Sequence, residues 1–403
     1  LGFGLYDSWI ILDTNVEQDI EIPVVLSVAE GSSEMTLEIT HLEGWNMVGL
    51  PLSVEDASYG TLFTDAVDET LYGFDGSYYG SDVLEAGNGY WLVFTNDGSA
   101  DISGEAITSL TISLSEGWNL IAGISSPVAV ESISDPSSII VSGTIYGYGG
   151  SYYNADAIEP GKGYWINASA DGEIMLSSTI SVAKTLVLVN HLEGSNELEF
   201  ANGEYSAILY FGKEVVDEHK DSYSLPPTFP QMAFDARFNG DMKYTVESGK
   251  ISVINTNKDL TLNYTVNIHP GEYMEWVLIT DSGEEYILTG TDEIVLNQAT
   301  TMTLTKRAII PQVYTLHQNY PNPFNPITSL RYDLPDDNHV TLTIYDLNGR
   351  EINRLVNSVQ PAGHKSVQWN ATDVQGKPVS AGVYLYQIQA GEFVQTRKMV
   401  LLK

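Results

Sequence analysis

The residues that most often carry catalysis form no recognisable catalytic motif in this chain. Its 403 residues include no cysteine, which excludes disulfides, thiolate metal sites and cysteine nucleophiles. There is no His-Glu-x-x-His pair, no Gly-x-Ser-x-Gly turn and no glycine-rich phosphate loop. We therefore predict that the chain is not an enzyme. The seven histidines lie singly, at positions 41, 191, 219, 269, 317, 339 and 364.

Carboxylates are the second group that could do chemistry, because they bind Ca²⁺. Asp97 and Asp101 lie in one loop and Asp75 lies in an Asp-Gly turn, so these three are candidate metal ligands. Their spacing matches no EF-hand, and a solvated acidic surface explains them equally well. No other cofactor is indicated. Calcium therefore remains a candidate without a defined ligand set.

The charge excludes one class of partner and divides the chain. Asp and Glu number 53 against 18 Lys and Arg, and the resulting net charge of −35 would repel nucleic acid. Residues 1–183 contain a single base, Lys162, whereas residues 310–403 are almost neutral. Such steps in composition predict domain boundaries near Ala183 and Pro311. No apolar stretch is long enough for a membrane span.

Alternating apolar residues predict an all-β chain of several tandem sandwich or Ig-like modules with little helix. Apolar residues alternate over 20–28 and again over 35–39, after a turn at 30–33, which is typical of a hairpin. A second such pattern runs over 260–268 and 274–278. The best helix candidates are short, at 54–67 and 128–133.

An internal repeat organises the first half of the chain. Glu-Gly-Trp-Asn at 43–46 recurs at 116–119, Leu-Tyr-Gly-Phe at 71–74 is answered by Ile-Tyr-Gly-Tyr at 145–148, and Gly-x-Gly-Tyr-Trp at 87–91 recurs at 161–165. Three blocks in the same order indicate two similar modules, at 41–112 and 113–181. The motifs resemble a repeat found in many bacterial and archaeal cell-surface proteins, a resemblance that implies no biochemical role.

The aromatic residues of the repeats have two explanations. Trp and Tyr rings fill the core of a small module, but they also stack on sugar rings. Neighbours on a strand face opposite sides, so one member of each adjacent tyrosine pair is expected to be exposed. Candidate ligand contacts are therefore Tyr78 and Tyr79 in the first repeat and Tyr152 and Tyr153 in the second.

Residues 184–309 are predicted to form an Ig-like β domain interrupted by a proline-rich loop. Pro226, Pro227 and Pro230 prevent a central strand there. The loop either crosses a sheet edge or acts as a ligand for an aromatic groove. The motifs around it, Tyr-Phe-Gly at 210–212 and Phe-Asp-Ala-Arg-Phe at 234–238, resemble a region that often precedes the sorting domain of secreted bacterial proteins.

Residues 311–403 contain the most specific motifs. An Asn-Tyr-Pro-Asn-Pro-Phe-Asn-Pro segment is followed by Ile-Tyr-Asp-Leu-Asn-Gly-Arg at 344–350 and Ala-Gly-Val-Tyr at 381–384. This order resembles the type A C-terminal sorting domain of the type IX secretion system, which implies an Ig-like sandwich related to the flagellar hook-capping protein. The segment is expected to lie extended over the sandwich, with Tyr320 and Phe324 as anchors. Its residues are Asn319, Tyr320, Pro321, Asn322, Pro323, Phe324, Asn325 and Pro326.

Residues 1–40 are too few for a core of their own. The Asp-Thr-Asn at 13–15 echoes Asn-Thr-Asn at 255–257, so residues 1–40 are interpreted as part of another sandwich or as strands that pair with another subunit. The start at Leu1 is expected to be a processed or truncated end.

Two functions from different classes remain open. The first is an extracellular or outer-surface structural or adhesive protein, exported by type IX machinery and able to self-assemble by strand addition between identical subunits. The alternative is the C-terminal accessory part of a larger extracellular hydrolase, in which the repeats bind surface polysaccharide.

Overall fold

The computed structural model describes residues 4–12, 20–28, 34–178, 190–229, 231–255, 259–267, 273–297 and 299–402. Strands account for 56% of the structure and helices for 4%, which confirms the predicted all-β class. Over these residues no helix has the length and apolar character needed to cross a membrane. The predicted turn at 30–33 and the Asp-Thr-Asn at 13–15 lie outside the described residues.

The N-terminal strands form a hairpin with each other. Strand β1 (Gly4–Leu12) pairs antiparallel with β2 (Ile20–Val28), with Gly4 opposite Val28. Strand β3 (Glu34–His41) pairs over its whole length with β9 (Gly98–Ala106) of the first repeat. The predicted hairpin between 20–28 and 35–39 is therefore wrong, because the first repeat takes β3 as one of its own strands.

The first repeat spans 34–106 and consists of two layers. A three-stranded sheet, β3-β9-β5, faces a four-stranded sheet, β4-β8-β6-β7. Alternation along β8 points Tyr90, Leu92 and Phe94 into the core between the layers. The predicted helix at 54–67 is reduced to four residues. The elements after β3 are β4 (Gly44–Gly49), β5 (Leu52–Ser53), α1 (Tyr59–Leu62), β6 (Tyr72–Phe74), β7 (Tyr78–Gly80), β8 (Gly89–Phe94) and β9.

The second repeat spans 109–177 and has the same plan. Its four-stranded sheet, β11-β16-β13-β14, covers the pairs β10-β17 and β12-β15. Each repeat begins one strand before its Gly-Trp-Asn block. The elements are β10 (Ser109–Leu114), β11 (Gly117–Ala122), β12 (Val128–Ala129), a 3-10 turn (Val130–Ser132), β13 (Tyr146–Tyr148), β14 (Tyr152–Asn154), β15 (Ala157–Ile158), β16 (Gly163–Ala168) and β17 (Gly172–Ser177).

The two repeats contact each other through reciprocal backbone hydrogen bonds. The Gly49 N–H donates to the Gly161 carbonyl at 3.0 Å, and the Ala122 N–H donates to the Gly87 carbonyl at 2.9 Å. Gly49 corresponds to Ala122, and Gly87 corresponds to Gly161, so the same bond is made twice with the partners exchanged. The repeats are therefore related by an approximate local two-fold axis, as in an isologous dimer.

The third domain, residues 190–308, is a sandwich of two five-stranded sheets, β21-β19-β18-β23-β26 and β20-β22-β27-β24-β25. Leu198, Phe200 and Leu278 belong to its core. Its elements are β18 (Asn196–Ala201), β19 (Ser206–Phe211), 3-10 turns (Asp217–His219 and Asp221–Tyr223), β20 (Phe234–Phe238), β21 (Tyr244–Thr245), β22 (Gly249–Asn255), β23 (Asp259–Val266), β24 (Met274–Thr280), β25 (Glu285–Leu288), β26 (Gly290–Asn297) and β27 (Thr301–Ala308).

The C-terminal domain is a smaller sandwich of β28-β29-β32 on β31-β30-β33-β34. Trp369, Tyr386 and Met399 are buried between the sheets. The Tyr273 ring of the third domain stacks on His364, 3.9 Å between centroids. The strands are β28 (Thr315–Leu316), β29 (Thr328–Leu334), β30 (Asn338–Tyr345), β31 (Glu351–Gln360), β32 (Gly363–Trp369), β33 (Gly382–Ala390) and β34 (Phe393–Leu401).

Gly49→Ala tests the local two-fold contact between the repeats. A Cβ at Gly49 would lie 2.1 Å from the Ala122 Cβ, so we expect a loss of about 2 kcal/mol in unfolding free energy through overpacking. Adding Ala122→Gly should restore most of the lost unfolding free energy. Denaturant unfolding of the single and double variants measures both changes. Gly60→Ala, with open space around the new methyl, is the control. An additive double variant would contradict the contact.

Candidate functional site

The repeat aromatics form a cluster between the repeats, distinct from the core of each module. Residues that alternate with the core residues along each four-stranded sheet point outward, and the two outward faces meet. We call this cluster, with the third-domain residue that completes it, the aromatic junction. Its rings are Trp45, Tyr72, Phe74, Tyr78 and Trp91 of the first repeat, Trp118, Tyr146, Tyr148, Tyr152 and Trp165 of the second, and Phe229.

Ring contacts across the junction are reciprocal, as the backbone contacts are. Trp91 meets Tyr148 edge-on at 4.8 Å between centroids, and its counterpart Trp165 meets Phe74, the counterpart of Tyr148, also at 4.8 Å. Both tryptophans are fully buried. Edge-to-face rings at this spacing add stability beyond their buried area. Packing is therefore the observed role of most aromatics in the repeat motifs.

The proline-rich loop of the third domain completes the junction. Phe229 stacks on Trp91 at 5.1 Å with 20° between the planes, and it lies 4.4 Å from Trp45. No strand forms over the described loop residues 225–229, as the prolines predicted. The loop thus occupies an aromatic groove of its own chain. The sequence motifs did not predict Phe229 as a site residue. Its position among prolines was the only indication that it could be one.

Tyrosine hydroxyls of the second repeat hold the main chain of the loop. Tyr152 donates to the Pro227 carbonyl at 2.9 Å, and Tyr146 donates to the Ser224 carbonyl at 3.2 Å. Tyr148 accepts the Ala233 N–H at 2.9 Å. These hydrogen bonds bind the main chain of the loop in the way that a peptide-binding site binds an extended ligand. They fix the third domain against the second repeat.

A buried ion pair stiffens the loop from the other side. Arg237 binds both carboxylate oxygens of Asp235, at 2.6 and 2.9 Å, and donates to the Pro226 carbonyl at 2.7 Å. Asp241 also accepts from Arg237, at 2.9 Å. Because the pair is buried and fully hydrogen-bonded, removing one partner would leave an uncompensated charge. The Phe-Asp-Ala-Arg-Phe motif therefore positions the loop.

The adjacent tyrosines divide as the strand alternation predicted. Tyr78 and Tyr152 are partly buried in the junction, whereas Tyr79 and Tyr153 are 42% and 45% exposed. The Tyr79 ring lies across Gly73, where an added Cβ would be 2.5 Å from the ring, and Tyr153 lies across its counterpart Gly147 at the same distance. A ligand role for these four tyrosines stays a prediction.

Of the predicted calcium ligands, Asp97 binds a backbone N–H group. Asp97 accepts the Glu43 N–H at 2.7 Å, and its counterpart Asp171 accepts the Glu116 N–H at 2.8 Å. Asp101 lies in β9 opposite Glu38, and Asp75 lies in the turn between β6 and β7. Within the described part of the chain, no three His, Asp or Glu side chains come together where they could hold a metal ion.

The Asn-Pro segment is bound along the last strand. Phe324 is buried, contacts Trp369 at 5.7 Å, and exchanges backbone hydrogen bonds with Val400 and Leu402. The Asn322 side chain accepts the Val400 N–H at 2.9 Å. The segment therefore pairs with the edge strand β34 and links the first residues of the domain to its last strand.

Asn319 is the second anchor, and Tyr320 is not. Asn319 is 2% exposed; its N–H donates to the Tyr386 hydroxyl at 2.8 Å and its side-chain amide to Thr328 at 3.0 Å. Tyr320 is 75% exposed, so the predicted anchoring by its ring is wrong. The reason is that Tyr320 pairs with Ser329 through its backbone in both directions, which leaves its ring in solvent.

Residues 326–392 match the FlgD Ig-like domain. The match begins at the last residue of the Asn-Pro segment and ends between β33 and β34, so it identifies an Ig-like module in the C-terminal domain. No curated protein matches the chain. The crystal structure of dimeric latent PorU from Porphyromonas gingivalis aligns at a TM-score of 0.20 and 10% identity, over 73% of this chain and 30% of that one. The chain thus spans under a third of PorU, and a TM-score of that size supports no conclusion about fold or function.

Tyr152→Phe and Tyr78→Phe form a matched test of the junction. The Tyr152 hydroxyl accepts the Trp165 indole N–H at 3.1 Å and donates to Pro227, so its loss should cost about 2 kcal/mol. Among the described residues the equivalent Tyr78 hydroxyl has no hydrogen-bond partner at acceptable geometry, and its removal should change stability by less than about 0.5 kcal/mol. Denaturant unfolding compares the two, and equal losses would contradict this asymmetry.

Alkaline pH should open the junction. Burial raises the pKa of Tyr78 and of Tyr148 to about 12, above the ordinary 10. The unfolded chain loses these protons first, so the stabilisation is complete below about pH 10 and is lost as the pH rises towards about 12. Phenolate absorbance and tryptophan fluorescence should therefore change together. Phenolate formation with unchanged tryptophan fluorescence would show that the tyrosines titrate without opening the junction.

Proposed function

We propose that the chain is a non-catalytic, extracellular β-module protein of structural or adhesive type. The aromatic junction carries this proposal, because it fixes two repeats and the third domain to one another through buried rings. Trp91 and Trp165, two of the four tryptophans of the repeat motifs, are fully buried there and cannot stack on a ligand. An array of fixed modules suits a protein that spans distance at a cell surface. The net charge of −35 suits solvation outside the cell and repulsion of non-specific partners.

The C-terminal domain is proposed to act as the export signal for type IX machinery. The support is the motif order of residues 319–403 together with the Ig-like match over 326–392. Tyr320 is the residue best placed for recognition, since its ring is 75% exposed while its own backbone N–H and carbonyl are both hydrogen-bonded. A partner could contact that ring without unfolding the domain.

Tyr320→Ser should reduce export while leaving the fold intact. The chain would be produced in a bacterium that has a type IX system, and the fraction at the surface or in the medium would be measured. Leu347→Ser is the matched control, because Leu347 is 67% exposed in a turn of the same domain away from the Asn-Pro segment. We expect at least a tenfold loss for Tyr320→Ser, equivalent to about 1.4 kcal/mol of binding, and none for the control. Equal export of both variants would remove Tyr320 from recognition, and export without residues 311–403 would refute the sorting role.

The accessory function in polysaccharide binding has one observation in its favour. Tyr79 and Tyr153 keep exposed rings on the edge strands β7 and β14, at equivalent positions. Two such platforms on one rigid unit would allow bivalent contact with a polymer. Pull-down of the full chain on insoluble polysaccharides, with Tyr79→Ala and Tyr153→Ala together, decides whether these rings bind.

A further inference from the structure

Lys243 is a cation without a carboxylate partner in a chain dominated by acids. Its ammonium group donates to the Asn154 side-chain oxygen at 2.8 Å and lies 5.4 Å from the centre of the Tyr146 ring. Over the described residues it forms no ion pair, whereas nearby Arg237 pairs with Asp235 and Asp241. With 53 acids in the chain, a half-buried lysine left unpaired is unexpected.

The charge of Lys243 is only partly compensated. An ammonium group has three donors, and the described structure provides an acceptor for one of them. Burial lowers the pKa of Lys243 to about 8, and loss of solvent is the only cause. A desolvated charge without a counter-ion destabilises the fold, so an anion bound there would be favoured.

Lys243 also lines a cavity of about 200 Å³ where the second repeat meets the third domain. The cavity lining combines hydroxyl groups, tyrosine rings and aliphatic side chains. Asp235 does not serve as its counter-ion, because Arg237 takes both of its carboxylate oxygens. The polar lining comprises Ser151 and Tyr152 of the repeat and Ser206, Tyr210, Asp235 and Lys243 of the third domain.

We propose that this cavity binds a small hydroxylated carboxylate of the uronic acid class, with Lys243 as the counter-ion of the carboxylate. The hydroxyls of Ser151, Ser206 and Tyr210 can bind sugar hydroxyls, and the tyrosine rings offer apolar faces. The volume is below the roughly 300–1,000 Å³ of sites for drug-sized ligands, so it admits one small ring. A single ammonium balances one negative charge, which favours a carboxylate over a phosphate dianion.

The site is independent of export, and it differs from the exposed tyrosines of the repeats. The second repeat lines the cavity with Ser151 and Tyr152, and the third domain contributes Lys243 from the chain just before β21, so both modules must be docked for the site to exist. The aromatic junction provides that docking. A bound uronate would in turn stabilise the contact between second repeat and third domain.

Titration calorimetry of the full chain with glucuronate, galacturonate, glucose, acetate and inorganic phosphate tests the proposal. We expect saturable binding of a uronate and at least tenfold weaker binding of glucose, acetate and phosphate. Affinity for the uronate should fall at least tenfold between about pH 7 and about pH 10, as the amine loses its charge. The pH series uses the unaltered chain, so it needs no variant to fold.

Lys243→Met should abolish uronate binding, and Lys250→Met, an exposed lysine of the same domain, should leave it unchanged. Thermal unfolding of both variants shows whether the fold is kept. Ser206→Ala is a second, milder variant that should weaken binding several-fold. No saturable binding of either uronate up to about 10 mM, or binding that survives Lys243→Met, would overturn the proposal. Acetate or phosphate binding as tightly as a uronate would also overturn it.

Discussion

The four-stranded sheet of each repeat has apolar side chains on both faces, and the need to cover the second face dominates this structure. In each repeat, one face of the four-stranded sheet carries module-core residues such as Tyr90, and the other face carries junction residues such as Trp91. A repeat alone would therefore expose a large aromatic surface. Two repeats related by a local two-fold axis cover each other. Their reciprocal packing still leaves a gap beside Trp91, and Phe229 of the third domain fills it. The conformation of the proline-rich loop and its contacts with both repeats are consistent with that requirement.

This requirement also decides which chemistry remains available. The large rings that would be the obvious sugar platforms are used in packing, and the repeated turn aspartates are used in binding backbone N–H groups. The groups that remain available to a partner are Tyr79 and Tyr153 on the edge strands β7 and β14, Tyr320 on the C-terminal domain, and Lys243 where the second repeat meets the third domain. Function in such a protein is therefore expected at edges and between modules.

The sequence predicted much of this architecture, and its failures have physical causes. Period-two patterning identified the strands and the split of each tyrosine pair, because alternation is a local property. It could not assign β3, since an apolar strand after a turn pairs equally well with 20–28 or with a distant strand, and only closure of the first repeat favours β9. Tyr320 was misassigned because a backbone bridge, invisible in residue type, decides which way its ring points. Lys243 and Phe229 depend on the docking of separate modules, which no local pattern encodes.

Comparison of the two repeats shows how contact with the third domain accounts for their differences. Tyr152 has a carbonyl partner in the loop, whereas its counterpart Tyr78 has none among the residues that the structure describes. Asn154 binds Lys243, whereas the equivalent position in the first repeat is Gly80, which has no side chain to offer. On the two-fold axis, one position must be glycine because two methyl groups would overlap at Gly49 and Ala122. Symmetric packing thus accounts for the recurring motifs, and contact with the third domain accounts for the differences at Tyr152 and Asn154, so such positions are the ones to examine for function.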